Sequence, residues 1–446
     1  MTHPPEPAHS EHPARQRAAI ALAALAAAPA LALRVTGSHP APLPAAVVYG
    51  VAVIGGAFLL AWAAEVAQLD ISAGLAIALL ALIAVLPEYA VDFVFTWKAG
   101  DAFESMGRCE FGGTNHCENA LANMTGGNQL LIGVGWSLVV LLGAYRLRQA
   151  RRGQGPRSIP PGVDVNDTEV ELERSHAVEI SFLVLATLYG LTLAFKETLS
   201  LVDAVVLVLL FGAYMVRVAR APAEEPHLVG PAQLIGALPV RQRRAAVVGL
   251  FVAAVVIILA VAEPFAEGLV DVGHEFGINE FVLISIVAPL ASESPELLVA
   301  GLFAWRLNTN AGLGTLVSSK VNQWTLLVGT LPIVFAVASA SRHGLPIGAE
   351  QREELWVTAA QSAFAVAVLM NRRISVTEAL TMLSLYLANL VSRTFPAAIH
   401  DEARILVGIV YLVLAAVVIV RNRRAVRPLL HDGFRAPYAE LADQPV

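Results

Sequence analysis

The sequence predicts an all-α polytopic membrane protein with about twelve transmembrane helices. Of its 446 residues, 56% are hydrophobic and only 15% are charged, against about 25% charged in a typical soluble domain. Mean hydropathy is +0.64. The apolar residues gather into runs near 18–34, 45–67, 72–96, 118–145, 178–196, 200–217, 244–268, 278–305, 311–340, 355–371, 374–393 and 403–421. Roughly 20 apolar residues span a hydrocarbon core, so each run is a candidate span. A soluble enzyme, a nucleic-acid binder and a disordered chain are excluded, and the runs are too long for an outer-membrane barrel.

The first run follows Arg15 and Arg17 and ends in small residues. It reads either as a cleaved signal peptide or as an anchor. Positive charge sets the orientation. Arg146, Arg148, Arg151, Arg152, Arg157 and Arg174 fill one connection, and Arg217, Arg220, Arg241, Arg243 and Arg244 the next alternate one. Arg306, Arg372, Arg373 and then Arg421, Arg423, Arg424 and Arg427 continue the alternation. Asp101, Glu104, Glu110, Asp271, Glu275, Glu350, Glu353 and Glu354 collect on the other side. Both termini are therefore expected in the cytoplasm, in a plasma (inner) membrane. Two cysteines, Cys109 and Cys117, fall in one outer loop. That compartment permits either a disulfide or two free thiols, and no cysteine metal cluster is available.

Two segments resemble each other. Leu86-Pro87-Glu88-Tyr89-Ala90-Val91-Asp92 runs on to Trp97-Lys98, and Ser294-Pro295-Glu296-Leu297-Leu298-Val299-Ala300 runs on to Trp305-Arg306. Each leads to a break of small and polar residues, Ala122–Gln129 in one copy and Gly314–Gln323 in the other. The copies start five spans apart, and an odd offset inverts their topology. Inverted repeats with broken helices at the midplane are a common architecture of secondary transporters. Each proline removes an amide donor, so a carbonyl freed there needs a partner in hydrocarbon, a bound cation being one.

Ionisable groups make the functional case. Glu88, Asp92, Glu293 and Glu296 lie mid-span, where each acid costs about 2.5–3.5 kcal/mol on insertion scales. Glu88 and Asp92 are four residues apart, and Glu293 and Glu296 are three apart, so each pair shares a helix face. Lys320 is the one nearby fixed cation in the sequence, so the remaining charge calls for protons or metal ions. With Ser292, Asn128, Ser319, Asn322 and Gln323 these residues form a hard-oxygen set suited to Na⁺ or Ca²⁺. Asn123 is a further candidate amide.

At these residues the sequence resembles the cation/calcium exchanger superfamily, which includes sodium/calcium exchangers. The resemblance implies a ten-helix core of two inverted five-helix repeats over roughly 45–393, with one extra helix at each end. It divides the chain into a tail and extra helix (1–44), a first half (45–217, motif 84–131) and a cytoplasmic connection (218–243). A second half (244–393, motif 291–323) and an extra helix with tail (394–446) complete it. It implies alternating-access cation antiport, no enzymatic activity and no bound cofactor, with Glu88 and Glu296 as the family's paired glutamates. Its partners are inorganic cations and the lipid bilayer, without nucleic acid, and the oligomeric state is left open, a monomer included. The family pattern is Gly-Ser/Thr-Ser-x-Pro-Glu followed by Gly-Ser-Asn-x-x-Asn/Asp. Here Ala84 and Val85 stand before Pro87, Glu293 precedes Ser294-Pro295, Gly127 replaces Ser, and Lys320 replaces Asn. From Pro-Glu to Asn128 is 128 − 88 = 40 residues, against 320 − 296 = 24 to Lys320, so the first copy carries about sixteen extra residues.

Lys320 is expected to pair with Glu293 as a tethered ammonium where relatives bind a monovalent cation. The leading expectation is a sodium/calcium-exchanger-like cation antiporter, with a cation/proton antiporter on the same scaffold as the alternative, since losing hydroxyls and gaining acids shifts the chemistry toward protonation. A channel or a non-transporting receptor on the same scaffold is the competing class. An intramembrane metal enzyme would need mid-span histidines, which the repeats lack.

Overall fold

A computed structural model describes residues 13–70, 85–111, 114–152, 168–221, 228–393 and 397–442. The start of the third apolar run, Ala84, and the Gly112–Gly113 tip lie outside these residues. Among the described residues the chain forms twelve long helices; eleven follow the apolar runs, and the third begins inside its run at Leu86 and extends to Met106. They are α1 Pro13–Thr36, α2 Pro42–Ala67, α3 Leu86–Met106, α4 His116–Arg151, α5 Ala177–Leu193 and α6 Leu201–Val218. After a short helix Pro231–Gly236 come α7 Val240–Phe276, α8 Glu280–Trp305 and α9 Thr309–Ala338. α10 Ala349–Leu369, α11 Val376–Ser392 and α12 Ala397–Phe434 complete the set.

Nine of these helices are long and apolar enough to cross a membrane among the described residues. The other three fall short for physical reasons. α3 carries Glu88, Asp92, Lys98, Asp101 and Glu104, α10 opens on Glu350, Arg352, Glu353 and Glu354, and α11 has 17 residues.

The inverted repeat is visible in backbone detail. α4 widens into a π-helical stretch at Leu131–Trp136 and α9 does so at Gln323–Leu327, the same place in each copy. Such widened turns mark functional sites in many helices. α6 starts on a capping box of Ser200 and Asp203, and α11 on one of Ser375 and Glu378. These boxes satisfy amide donors at the helix starts and give Glu378 a structural task. Two short ladders exchange in the same way. Glu169–Glu171 between α4 and α5 pairs with Arg373–Ser375 between α10 and α11. Thr198–Leu199 between α5 and α6 pairs with Leu345–Pro346 between α9 and α10, at the opposite end.

α2 and α7 pack along each other as a central pair. A forked ion pair clasps them, with Arg243 Nε and Nη2 donating to Asp70 at 2.8 and 2.9 Å. The Arg243 hydrogen bonds hold the Asp70 carboxyl down at about 2, so the clasp stays charged at any working pH. Glu65 of α2 accepts from the Val229 amide in the connection between the halves. Cys109 and Cys117 form a disulfide, which resolves the open alternative. The α4 end of that loop docks through Thr114, whose hydroxyl reaches His274 at 2.9 Å and Glu280 at 3.1 Å. Trp97 and Trp305 stay exposed at 42% and 44%, and Arg146 lies 4.1 Å over the Trp305 ring.

Candidate ion-binding site

The site forms where α3 and α8, the Pro-Glu helices, meet the widened turns of α4 and α9. Pro87 sits in the first turn of α3, where its missing donor costs nothing. Pro289 and Pro295 lie inside α8. Pro295 deprives the Ala291 carbonyl of its usual donor, and the Ser294 hydroxyl replaces it at 3.0 Å. Ser292 likewise donates to the Ala288 carbonyl at 3.1 Å. The freed carbonyl is thus satisfied by a neighbouring hydroxyl, not left for a cation.

Glu88, Asp92 and Glu293 are buried and Lys320 is fully so; Glu296 is half-buried. One amide joins the first copy to the second. Gln323 Nε2 donates to Glu293 Oε1 at 2.7 Å and to Glu88 Oε2 at 3.2 Å. Gly127 faces the same two carboxylates: a Cβ there would lie 2.6 Å from Glu293 Oε1 and 3.0 Å from Glu88 Oε1. At its neighbour Gly126 a Cβ would fall 1.9 Å from the Ser285 carbonyl oxygen. The paired glycines therefore let α4 approach α8 closely and leave the space between the acids unfilled.

Around this pair the remaining candidates divide. Glu296 accepts from Ser319 at 2.7 Å, and Asp92 accepts from Asn123 Nδ2 at 2.8 Å. Asn322 accepts from the Tyr89 hydroxyl at 3.1 Å. The expected Lys320–Glu293 ion pair does not form. Lys320 Nζ instead donates to Asn128 Oδ1 at 2.5 Å and to the Asn128 backbone oxygen at 3.1 Å, and it lies 4.8 Å over the Trp324 ring. The Asn128 carbonyl and side chain thus receive the ammonium just ahead of the widened stretch of α4. The glutamates sharing one amide are Glu88 and Glu293, while Glu296, one turn further along α8, takes its bond from Ser319.

Five buried oxygens of this cluster have no hydrogen-bond partner: Glu88 Oε1, Glu293 Oε2, Asp92 Oδ2, Asn123 Oδ1 and Gln323 Oε1. Orphaned buried oxygens are costly. A hard cation or a proton would satisfy each of them. Among the described residues no three His, Cys, Asp or Glu side chains gather into a preformed metal centre, so a bound ion would draw on this acid pair, amides and carbonyls.

Sequence reading missed two features. Tyr89 gave no signal beyond its place beside Glu88. It also counted Glu353 and Glu354 among the acids collecting on the outer side, ahead of an apolar run that begins only at Leu355. α10 in fact starts at Ala349, and Glu354 is fully buried, 2.9 Å from both Gln129 Nε2 and Arg393 Nη2.

A family model described as sodium/calcium exchanger protein matches residues 43–219 and 246–395. The chain belongs to this exchanger family. A crystal structure of the H⁺/Ca²⁺ exchanger CAX is similar over 95% of this chain and 98% of that one, at 37% identity and a TM-score of 0.82. The structure of native YfkE, at 14% identity and a TM-score of 0.54, covers 90% of this chain and 100% of that one. That second likeness shows the shared fold. No curated protein matches the chain. Exchanger family members are secondary transporters, so this chain is a cation antiporter of the exchanger class.

Proposed function

We propose that the chain is a Ca²⁺/H⁺ antiporter in which Glu88 and Glu293 bind the ion, with Asp92 and Glu296 beside them. The observation that carries this is the shared Gln323 amide, which draws two buried carboxylates together while leaving one oxygen of each without a partner. Ca²⁺ takes six to eight oxygens, including carboxylates, amides and carbonyls. When the ion leaves, the same oxygens need protons, because buried unpaired carboxylates are expensive. Sodium coupling would draw on hydroxyls, and the positions ahead of Pro87 where the family carries them hold Ala84 and Val85. The likeness to an H⁺/Ca²⁺ exchanger at 37% identity supports the same choice. The chain is oriented with both termini in the cytoplasm by its basic clusters, in an inner membrane.

The test is ⁴⁵Ca²⁺ uptake into proteoliposomes under an imposed pH gradient or an imposed Na⁺ gradient. We expect uptake driven by pH alone, lost in Glu88→Gln and Glu293→Gln, and weakened in Glu296→Gln. Uptake driven by Na⁺ alone would make the chain a sodium/calcium exchanger. No gradient-driven flux of Ca²⁺ or of other cations would sink the antiporter reading.

A further inference from the structure

α12 belongs to neither repeat, yet it buries a guanidinium against α10, the helix that holds Gln129 of α4. Arg404 is 0% exposed and pairs with Glu350 at 3.2 Å, Glu353 at 3.6 Å and Glu354 at 3.3 Å. These acids share one face of α10. α12 reaches α10 closely because it lacks a Cβ at Gly408, where one would lie 2.1 Å from the Trp356 indole nitrogen. Glu354 also takes Arg393 Nη2 at 2.9 Å, and Arg393 extends to the Ser285 hydroxyl of α8.

The chain of contacts then enters α4 through Gln129. Its Nε2 donates to Glu354 at 2.9 Å and to Thr358 at 2.8 Å. Its Oε1 accepts from Asn389 at 2.9 Å, and its backbone oxygen accepts from Gln361 at 3.3 Å. Every hydrogen-bonding group of this side chain is thereby fixed by α10 and α11. Gln129 directly follows Asn128, which holds Lys320, and Gly127, which faces Glu88 and Glu293. A site residue displaced by about 1 Å can cost on the order of 100-fold in function, so a rigid support here has consequences for the ion. Burying two guanidinium groups carries a desolvation cost of several kcal/mol per ion, which a purely packing interface would avoid with apolar residues.

We propose that Arg404 and Gln129 are positioning residues for ion binding: Arg404 orients Glu354, Glu354 holds Gln129, and Gln129 fixes the α4 turn that completes the site. The proposal rests on the reading of Glu88 and Glu293 as the ion-binding carboxylates. Neither residue touches the ion.

The test is Ca²⁺ titration calorimetry on the full-length protein in detergent, alongside uptake at saturating Ca²⁺. Gln129→Ala should weaken Kd by about tenfold while saturated uptake stays within about threefold. Arg404→Ala should give the same shift, Arg404→Lys should recover most of it, and Gln129→Ala with Arg404→Ala together should add little beyond either alone. Should Arg404→Ala not fold, Gln129→Ala and Arg404→Lys still decide. A Kd unchanged within twofold in folded Gln129→Ala, with uptake falling only as folded protein is lost, would overturn the proposal. A wild type that binds Ca²⁺ without gradient-driven uptake overturns the antiport reading alone, and one that binds no Ca²⁺ overturns both.

Discussion

The two widened turns share a backbone shape and differ in what their side chains do. In α9, Gln323 points at the carboxylates and binds both, and Trp324 lies beneath the Lys320 ammonium. In α4 the residues leading into the turn present the Gly126–Gly127 pair, Asn128 holds the Lys320 ammonium, and Gln129 points away into α10 and α11. One turn supplies ligands and the other supplies room. An inverted repeat fixes where the helices break, and each copy is then free to load its break differently. The division also explains why the acids that share an amide are Glu88 and Glu293, which are not equivalent positions of the repeat.

The sharpest way to break this comparison is to exchange the loads. Gly127→Ala places a methyl against the tips of two side chains, which can yield, so the protein should fold. The carboxylates must then separate. Overpacking of about 2 kcal/mol corresponds to about 30-fold weaker Ca²⁺ binding. At the matching position in the other copy, Ser319→Ala removes one hydrogen bond from Glu296, about 1 kcal/mol or roughly fivefold. Equal losses at both positions, read by calorimetry, would show that the turns do the same work.

Lys320 sharpens the comparison from the α9 side. Its ammonium is tied to Asn128, so Lys320→Gln can keep a donor there while deleting the charge. Removing a fixed positive charge beside a divalent site should strengthen Ca²⁺ binding by on the order of tenfold and slow its release, lowering turnover. A lysine that serves only as a strut predicts the opposite sign, with weaker binding in the variant. The two outcomes separate cleanly in a single titration.

Much of this was legible in the residues. Twelve apolar runs gave the helices, and Pro87-Glu88 and Pro295-Glu296 with their downstream breaks gave the repeat and the acids. Pairing was less legible. Asn128, Lys320 and Gln323 could be gathered from their spacing, yet which donor meets which oxygen depends on how far each widened turn rotates the residues around it. In the fold Lys320 meets Asn128 in preference to Glu293. The Glu354 network was hidden for a different reason: hydropathy assigns a helix start bearing Glu350, Glu353 and Glu354 to solvent. Only tertiary packing against Arg393 and Arg404 shows that the third of these acids is buried.

The first copy's extra residues offer the mildest test. They lengthen α3 past Trp97 to Met106 and form the disulfide-closed hairpin whose neighbours reach the start of α8. Thr114 and Asn119 donate to the two oxygens of Glu280, at 3.1 and 3.0 Å. Cys109 and Cys117 are eight residues apart, and closing so short a loop removes about 2–3 kcal/mol of unfolded-chain entropy. Cys109→Ser with Cys117→Ser should therefore lower Tm. The Ca²⁺ Kd should move less than about twofold, because no described hairpin residue hydrogen-bonds to Glu88, Glu293 or the turns. A larger change in Kd would mean that the contacts at Glu280 transmit along α8 to Glu293, making the insertion part of the asymmetry between the copies instead of an addition to it.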